Sequence, residues 1–123
     1  MLEFLQNLAQ KQNLVFVGSV AMMMQGIDVV PADIDIVVTD LEGLEGYTEY
    51  TTDSKYSTSG HRAFILGEYN IDIFIEEKLP QFVIIDGLKV VSLYYQEKYY
   101  NRILPLLDFR RQSLIRDKLE LLQ

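Results

Sequence analysis

Asp33 and Asp35 stand two apart in the stretch Pro31-Ala32-Asp33-Ile34-Asp35-Ile36-Val37-Val38. Alternation of acid and isoleucine at period two reads as a β-strand, with both carboxylates on one face and Ile34 and Ile36 on the other. Their Cα atoms then lie roughly 6.5–7 Å apart. A further acid, Asp72, sits alone in the apolar run Ile71-Asp72-Ile73-Phe74-Ile75. Neighbouring placement of the two strands would bring three carboxylates together, a donor set suited to one or two Mg²⁺ ions. The plainer alternative leaves each aspartate facing water on a half-exposed strand. Aspartate is depleted in strands, and an uncompensated carboxylate among Ile, Val and Phe is costly. The metal-holding arrangement therefore takes precedence.

Those acids need elements to position them. Leu14-Val15-Phe16-Val17 reads as a buried strand that runs into Gly18-Ser19 and then into a helix, Val20 to Gln25, closed by Gly26. Such a turn directs free backbone N–H groups at whatever lies above the sheet and favours an anion. Equally, Ser19 would serve as a simple N-cap and Gly18 as the turn residue. Upstream, Leu2, Phe4, Leu5 and Leu8 mark a short amphipathic helix ending near Asn13.

Downstream, Thr39 to Tyr50 reads as loop, Tyr47 to Ser57 as a candidate exposed strand, and Ser57 to Gly60 as a turn. Arg62–Leu66, a tight turn at Gly67-Glu68, and Tyr69–Glu76 form a hairpin. Phe82–Ile85, Asp86-Gly87 and Leu88–Val91 form a second, since Asp-Gly suits a type I′ turn. Ser92 caps a helix to about Leu104, with Leu93, Tyr100 and Ile103 inward and Lys98 and Arg102 four apart on one face. Pro105 ends that helix and opens a last one, with Leu107, Leu114, Ile115, Leu119 and Leu122 on one side. The pattern predicts an α/β (α+β) fold in one domain, residues 1–123: a mixed sheet flanked by helices, with a C-terminal helical pair.

A chain of 123 residues supplies one core, and 49% hydrophobic with 24% charged residues is ordinary for a globular domain. The net charge of −7 argues against non-specific nucleic-acid binding, which depends on cations neutralising phosphates. The absence of cysteine excludes disulfides and thiolate zinc sites, and a single histidine, His61, excludes multi-histidine centres. No signal-peptide pattern opens the sequence and no apolar run has membrane-spanning length, so a cytoplasmic location without membrane association is expected.

Taken as an ordered set, Val15-Phe16-Val17-Gly18-Ser19, Asp33-Ile34-Asp35-Ile36 and Ile71-Asp72-Ile73 resemble the DNA polymerase beta-like nucleotidyltransferase superfamily, in the manner of a small standalone member. The resemblance spans about residues 14–76, with Lys98 in the following helix. It implies transfer of a nucleoside monophosphate from an NTP such as ATP to an unknown acceptor (small molecule, protein or RNA), with release of pyrophosphate. Asp33, Asp35 and Asp72 would be catalytic and hold two Mg²⁺ ions, with Mn²⁺ as a substitute, and Asp72 would activate the acceptor. Gly18, Ser19 and Lys98 would bind the nucleotide, and a partner protein or second subunit would complete the site. The competing expectation is a non-catalytic module of the same fold, acting as a binding or regulatory partner or as a member of a toxin–antitoxin system. A haloacid-dehalogenase-type phosphatase also uses Asp-x-Asp, but there the apolar strand precedes the acids, whereas here Val37-Val38 follow them. Gly-rich P-loop or dinucleotide-binding signatures are absent.

Overall fold

The computed structural model describes residues 1–44, 48–50, 60–66 and 69–123, with 48–50 and 60–66 described by their backbone alone. The elements run α1 (Leu2–Lys11), β1 (Val15–Val17), α2 (Gly18–Met24), β2 (Ile34–Val38), β3 (Thr48–Tyr50), β4 (Gly60–Leu66), β5 (Tyr69–Ile75), β6 (Phe82–Ile85), β7 (Leu88–Val91), α3 (Leu93–Ile103) and α4 (Phe109–Leu121). Among the described residues one seven-stranded sheet forms, in the order β3-β4-β5-β2-β1-β7-β6. It is mixed: β2 runs parallel to β5 and β1 parallel to β7, while the other neighbours are antiparallel.

Strand alternation divides the centre of the sheet into two chemistries. Ile34, Ile36, Ile71, Ile73 and Phe16 are almost fully buried and form one cluster with Leu5 and Leu8 of α1. The opposite face carries Asp35, Asp72 and Phe74 beneath α3, α4 and α2, where Met22, Tyr100, Ile103 and Leu107 form a second cluster. Phe74 meets Tyr99 of α3 edge-on, with ring centroids 6.5 Å apart.

The second hairpin closes as its sequence predicts. Asp86 and Gly87 both take positive φ, +52° and +79°, the backbone a type I′ turn requires. Ser92 caps α3, its Oγ accepting from the N–H of Tyr95 at 3.2 Å. Three details differ from the sequence expectation. Pro105 does not open the last helix; it lies in a 3-10 turn, Leu104–Leu106, and Asp108 caps α4 by accepting from the N–H of Arg111. An aspartate in extended backbone supplies that free donor with an acceptor, which a proline cannot do. Leu114 is 55% exposed rather than packed with Ile115 and Leu119, because α4 rests on the molecule along a narrow stripe. Ser19 is not the N-cap, since α2 starts at Gly18, two residues before the expected Val20, and Val17 takes that place. Of the candidate turn Ser57–Gly60 only Gly60 is described, and it opens β4; the turn at Gly67-Glu68 lies outside the described residues, as does most of the candidate strand Tyr47–Ser57, of which Thr48–Tyr50 is β3.

Candidate active site

β2 and β5 lie side by side and parallel, with Asp35 directly opposite Asp72. Two adjacent strands thus deliver one carboxylate each to the same level of the same face. Asp33 comes just before β2 and lines the same cavity of about 320 Å³ as Asp35 and Asp72. The sequence-predicted acids are therefore brought together. Among the described residues, however, no three His, Cys, Asp or Glu side chains are gathered into a preformed metal cage. Like charges resist that arrangement, and Asp33 stays on the exposed side while Asp35 and Asp72 hydrogen-bond to each other.

The electrostatics follow from that pairing. Burial raises the pKa of Asp35 first, then the charge of Asp72, then Asp33 and the hydrogen bond to Asp72, while Lys118 opposes them; the balance lies at about 7. Asp33 is also raised, by desolvation and by Asp72, against the pull of an Asn70 hydrogen bond and Lys118. Near neutral pH Asp35 is thus held partly protonated, and a cation at the site would displace that proton.

Gly18 marks where backbone meets acid. A Cβ there would collide with Oδ2 of Asp35, and φ is +65°, so both space and backbone demand glycine. Its N–H donates to Oε1 of Gln96 at 2.8 Å, which ties the turn to α3. Ser19 is buried beside it in α2.

Several site residues carry no clear sequence signal. Lys118 of α4 lines the acid cavity, acts on Asp33 and Asp35 by charge, and places Nζ 5.8 Å from the ring centre of Tyr100. Arg111, near the start of α4, lines the same cavity while reaching Asp108 at 3.9 Å. Tyr100 has its phenol pKa raised, mainly by burial and then by Asp35. Lys98 lies elsewhere: it is exposed, with Nζ 5.0 Å from the Tyr94 ring centre, and is not among the residues lining the acid cavity. Arg102 is exposed, covers the Tyr99 ring at 5.2 Å and lines a neighbouring cavity. The one available clue to Lys118 was its place among Ile115, Leu119 and Leu122 on the inner stripe of α4; a lysine there must reach past the apolar contacts to something.

No helix among the described residues is long and apolar enough to cross a membrane. No protein-family model matches the chain. No curated protein matches it either. A crystal structure does: a Thermotoga maritima protein described as a proposed nucleotidyltransferase, 20% identical, with 97% of this chain aligned to 92% of that one at a TM-score of 0.62. At that identity the match speaks for architecture, and this chain has a nucleotidyltransferase-like mixed α/β fold.

Proposed function

We propose that the protein is a Mg²⁺-dependent nucleotidyltransferase that moves a nucleoside monophosphate from an NTP to an acceptor, releasing pyrophosphate. The observation that carries this reading is the Asp35–Asp72 pair, opposed on parallel strands with the Gly18 backbone pressed against it. The likeness of fold and the sequence resemblance to polymerase beta-like transferases both favour it.

The donor set fits Mg²⁺, which is commonly held by one or two carboxylates together with substrate phosphates. Asp35 and Asp72 would hold it, with Asp33 at the open side, and Mn²⁺ would substitute. The ion supplies charge for the attacking and leaving oxygens. This chain's residues do the rest. Asp72 accepts the acceptor's proton, Gly18 and Ser19 form the wall beside the phosphates, and Lys118 and Arg111 offer them positive charge. The part assigned to Lys98 from sequence is better filled by Lys118, which already faces the acids.

Because three carboxylates line the cavity, an uncomplexed NTP meets repulsion and a Mg²⁺–NTP complex does not. Calorimetric titration with ATP and the other NTPs should show binding that strengthens at least tenfold when Mg²⁺ is present. Equal affinities with and without the ion would overturn the reading. A protein that binds Mg²⁺–NTP yet releases no pyrophosphate would instead be the non-catalytic module.

A further inference from the structure

A second cavity, of about 480 Å³, lies one step further along the same sheet face. Val37 and Phe74 in its wall are the next same-face residues after Asp35 and Asp72, so the cavity begins roughly 6.5–7 Å from the acids. Phe74 and Tyr99 border both cavities. Tyr95, Gln96 and Arg102 line it from α3.

Gln96 is the informative member. It is 1% exposed, and its Oε1 accepts the Gly18 N–H. That bond fixes the amide's orientation, since a flipped amide would set N–H against N–H. Nε2 is thereby left as the free end, buried and without a hydrogen-bond partner among the described residues. The Tyr100 phenol is near enough to feel the amide, which lowers its pKa slightly against the larger effect of burial, but no well-formed bond joins the two. A buried donor without an acceptor costs about 1–3 kcal/mol. A ligand oxygen at the cavity wall would remove that cost.

We infer that this second cavity receives the acceptor, and that the acceptor is a small molecule bearing a flat ring, a hydrogen-bond-accepting oxygen and a hydroxyl group. The inference rests on the transferase reading and narrows it, because it sets protein and RNA acceptors aside. The volume falls within the range of roughly 300–1,000 Å³ common for small-molecule pockets. Phe74, Tyr95 and Tyr99 offer ring faces and edges for stacking. A polyanion finds no net positive charge to hold: Glu76 and Glu77 match Lys78 and Arg102 in the lining, and the chain carries a net charge of −7.

The division of labour suits in-line displacement. Arg111 and Lys118, the cations suited to a triphosphate, line the acid cavity. The aromatic cavity is left for the attacking group, on the other side of the Phe74–Tyr99 contact. Where the two cavities meet at Phe74 and Tyr99, the acceptor's hydroxyl oxygen reaches toward the acids and forms a bond to the α-phosphorus of the NTP. The bond from that phosphorus to the oxygen bridging the β-phosphorus breaks, and pyrophosphate leaves with the electron pair. The hydroxyl proton passes to the Asp72 carboxylate and then to water.

The test uses p-nitrophenyl β-D-glucoside, which combines a flat ring, accepting nitro oxygens and hydroxyl groups. Binding to the full chain is followed by calorimetry, with Mg²⁺–NTP affinity measured on the same samples. Gln96→Glu keeps an oxygen for the Gly18 N–H but removes the Nε2 donor, and should weaken the glucoside at least tenfold. Tyr95→Ala trims a residue that is 39% exposed, leaves no hole in the core, and should weaken it severalfold. No glucoside binding to wild type, equal binding in both variants, or displacement of the glucoside by an RNA oligonucleotide would overturn the inference. Absence of Mg²⁺–NTP binding beside intact, Gln96-dependent glucoside binding would sink the transferase reading and leave the cavity a small-molecule site.

Discussion

The two faces of the β2–β5 pair share one backbone and one register, yet one excludes water and the other collects charge. Ile34 and Ile36 stand opposite Ile71 and Ile73 on the face toward α1, none more than 1% exposed. Asp35 stands opposite Asp72 on the face toward α3 and α4, with a cavity above it. The difference teaches where stability and chemistry are divided in this molecule. The isoleucine face holds the strands together, and the aspartate face is tolerated because they do.

The sharpest way to break that division is to move a charge across it. Ile36→Asp would bury a carboxylate between Phe16 and Ile73 in the apolar cluster, and uncompensated burial of this kind lies at the severe end of point mutations, about 4 kcal/mol or more. Loss of a cooperative thermal transition is expected. A variant that melts within a few degrees of wild type would show that this face is not a sealed core.

The reverse change should help the fold. Asp35 is the group whose pKa burial lifts from the ordinary carboxylate value of 3.8 to about 7. Between those values the folded protein holds a proton that the unfolded chain has released, so stability falls as pH rises through this window. The penalty is absent below about 4 and fully present above 7. Without metal, the wild type should therefore melt higher at pH 5 than at pH 8, as far as this group is concerned. Asp35→Asn should raise the melting temperature at pH 8, by on the order of 5 °C, and flatten the slope between the two pH values. A variant less stable than wild type at pH 8 would mean that the carboxylate is satisfied as it stands.

How much of this was legible beforehand depends on the kind of signal. Period-two alternation separates Asp35 from Ile34 and Ile36 because the pleat enforces it whatever the partner strand, while Asp33 falls just before β2. Asp-Gly gave the β6–β7 turn because few residues accept two successive positive φ values. The pairing of β2 with β5 rather than another strand is a long-range event that no local pattern encodes, and it could only be assumed. Gln96 carries no signal for the same reason, and Lys118 carries only its place on the inner stripe of α4. A lysine and a glutamine in helices look like surface residues until the helices are placed over the acids. Lys98 shows the converse, since a lysine in the expected helix proved to point at Tyr94 on the outside.

That contrast gives the smallest of the expected effects. Lys118→Ala removes a charge beside Asp33 and Asp35 and should weaken Mg²⁺–NTP binding by about tenfold, near 1.4 kcal/mol. Lys98→Ala removes an exposed cation–ring contact and should stay within about 0.5 kcal/mol in both affinity and stability. Equal losses in the two variants would return Lys98 to the nucleotide site.

The central claim is that the aspartate face is a transfer site rather than a pair of tolerated acids. Asp72→Asn tests it most directly, because it keeps the shape of the side chain while removing the carboxylate that faces Asp35. Pyrophosphate release and Mg²⁺–NTP affinity are measured together for wild type and variant. Release should fall by several orders of magnitude while affinity changes less than tenfold, under about 1.4 kcal/mol. Release that survives Asp72→Asn unchanged would contradict it.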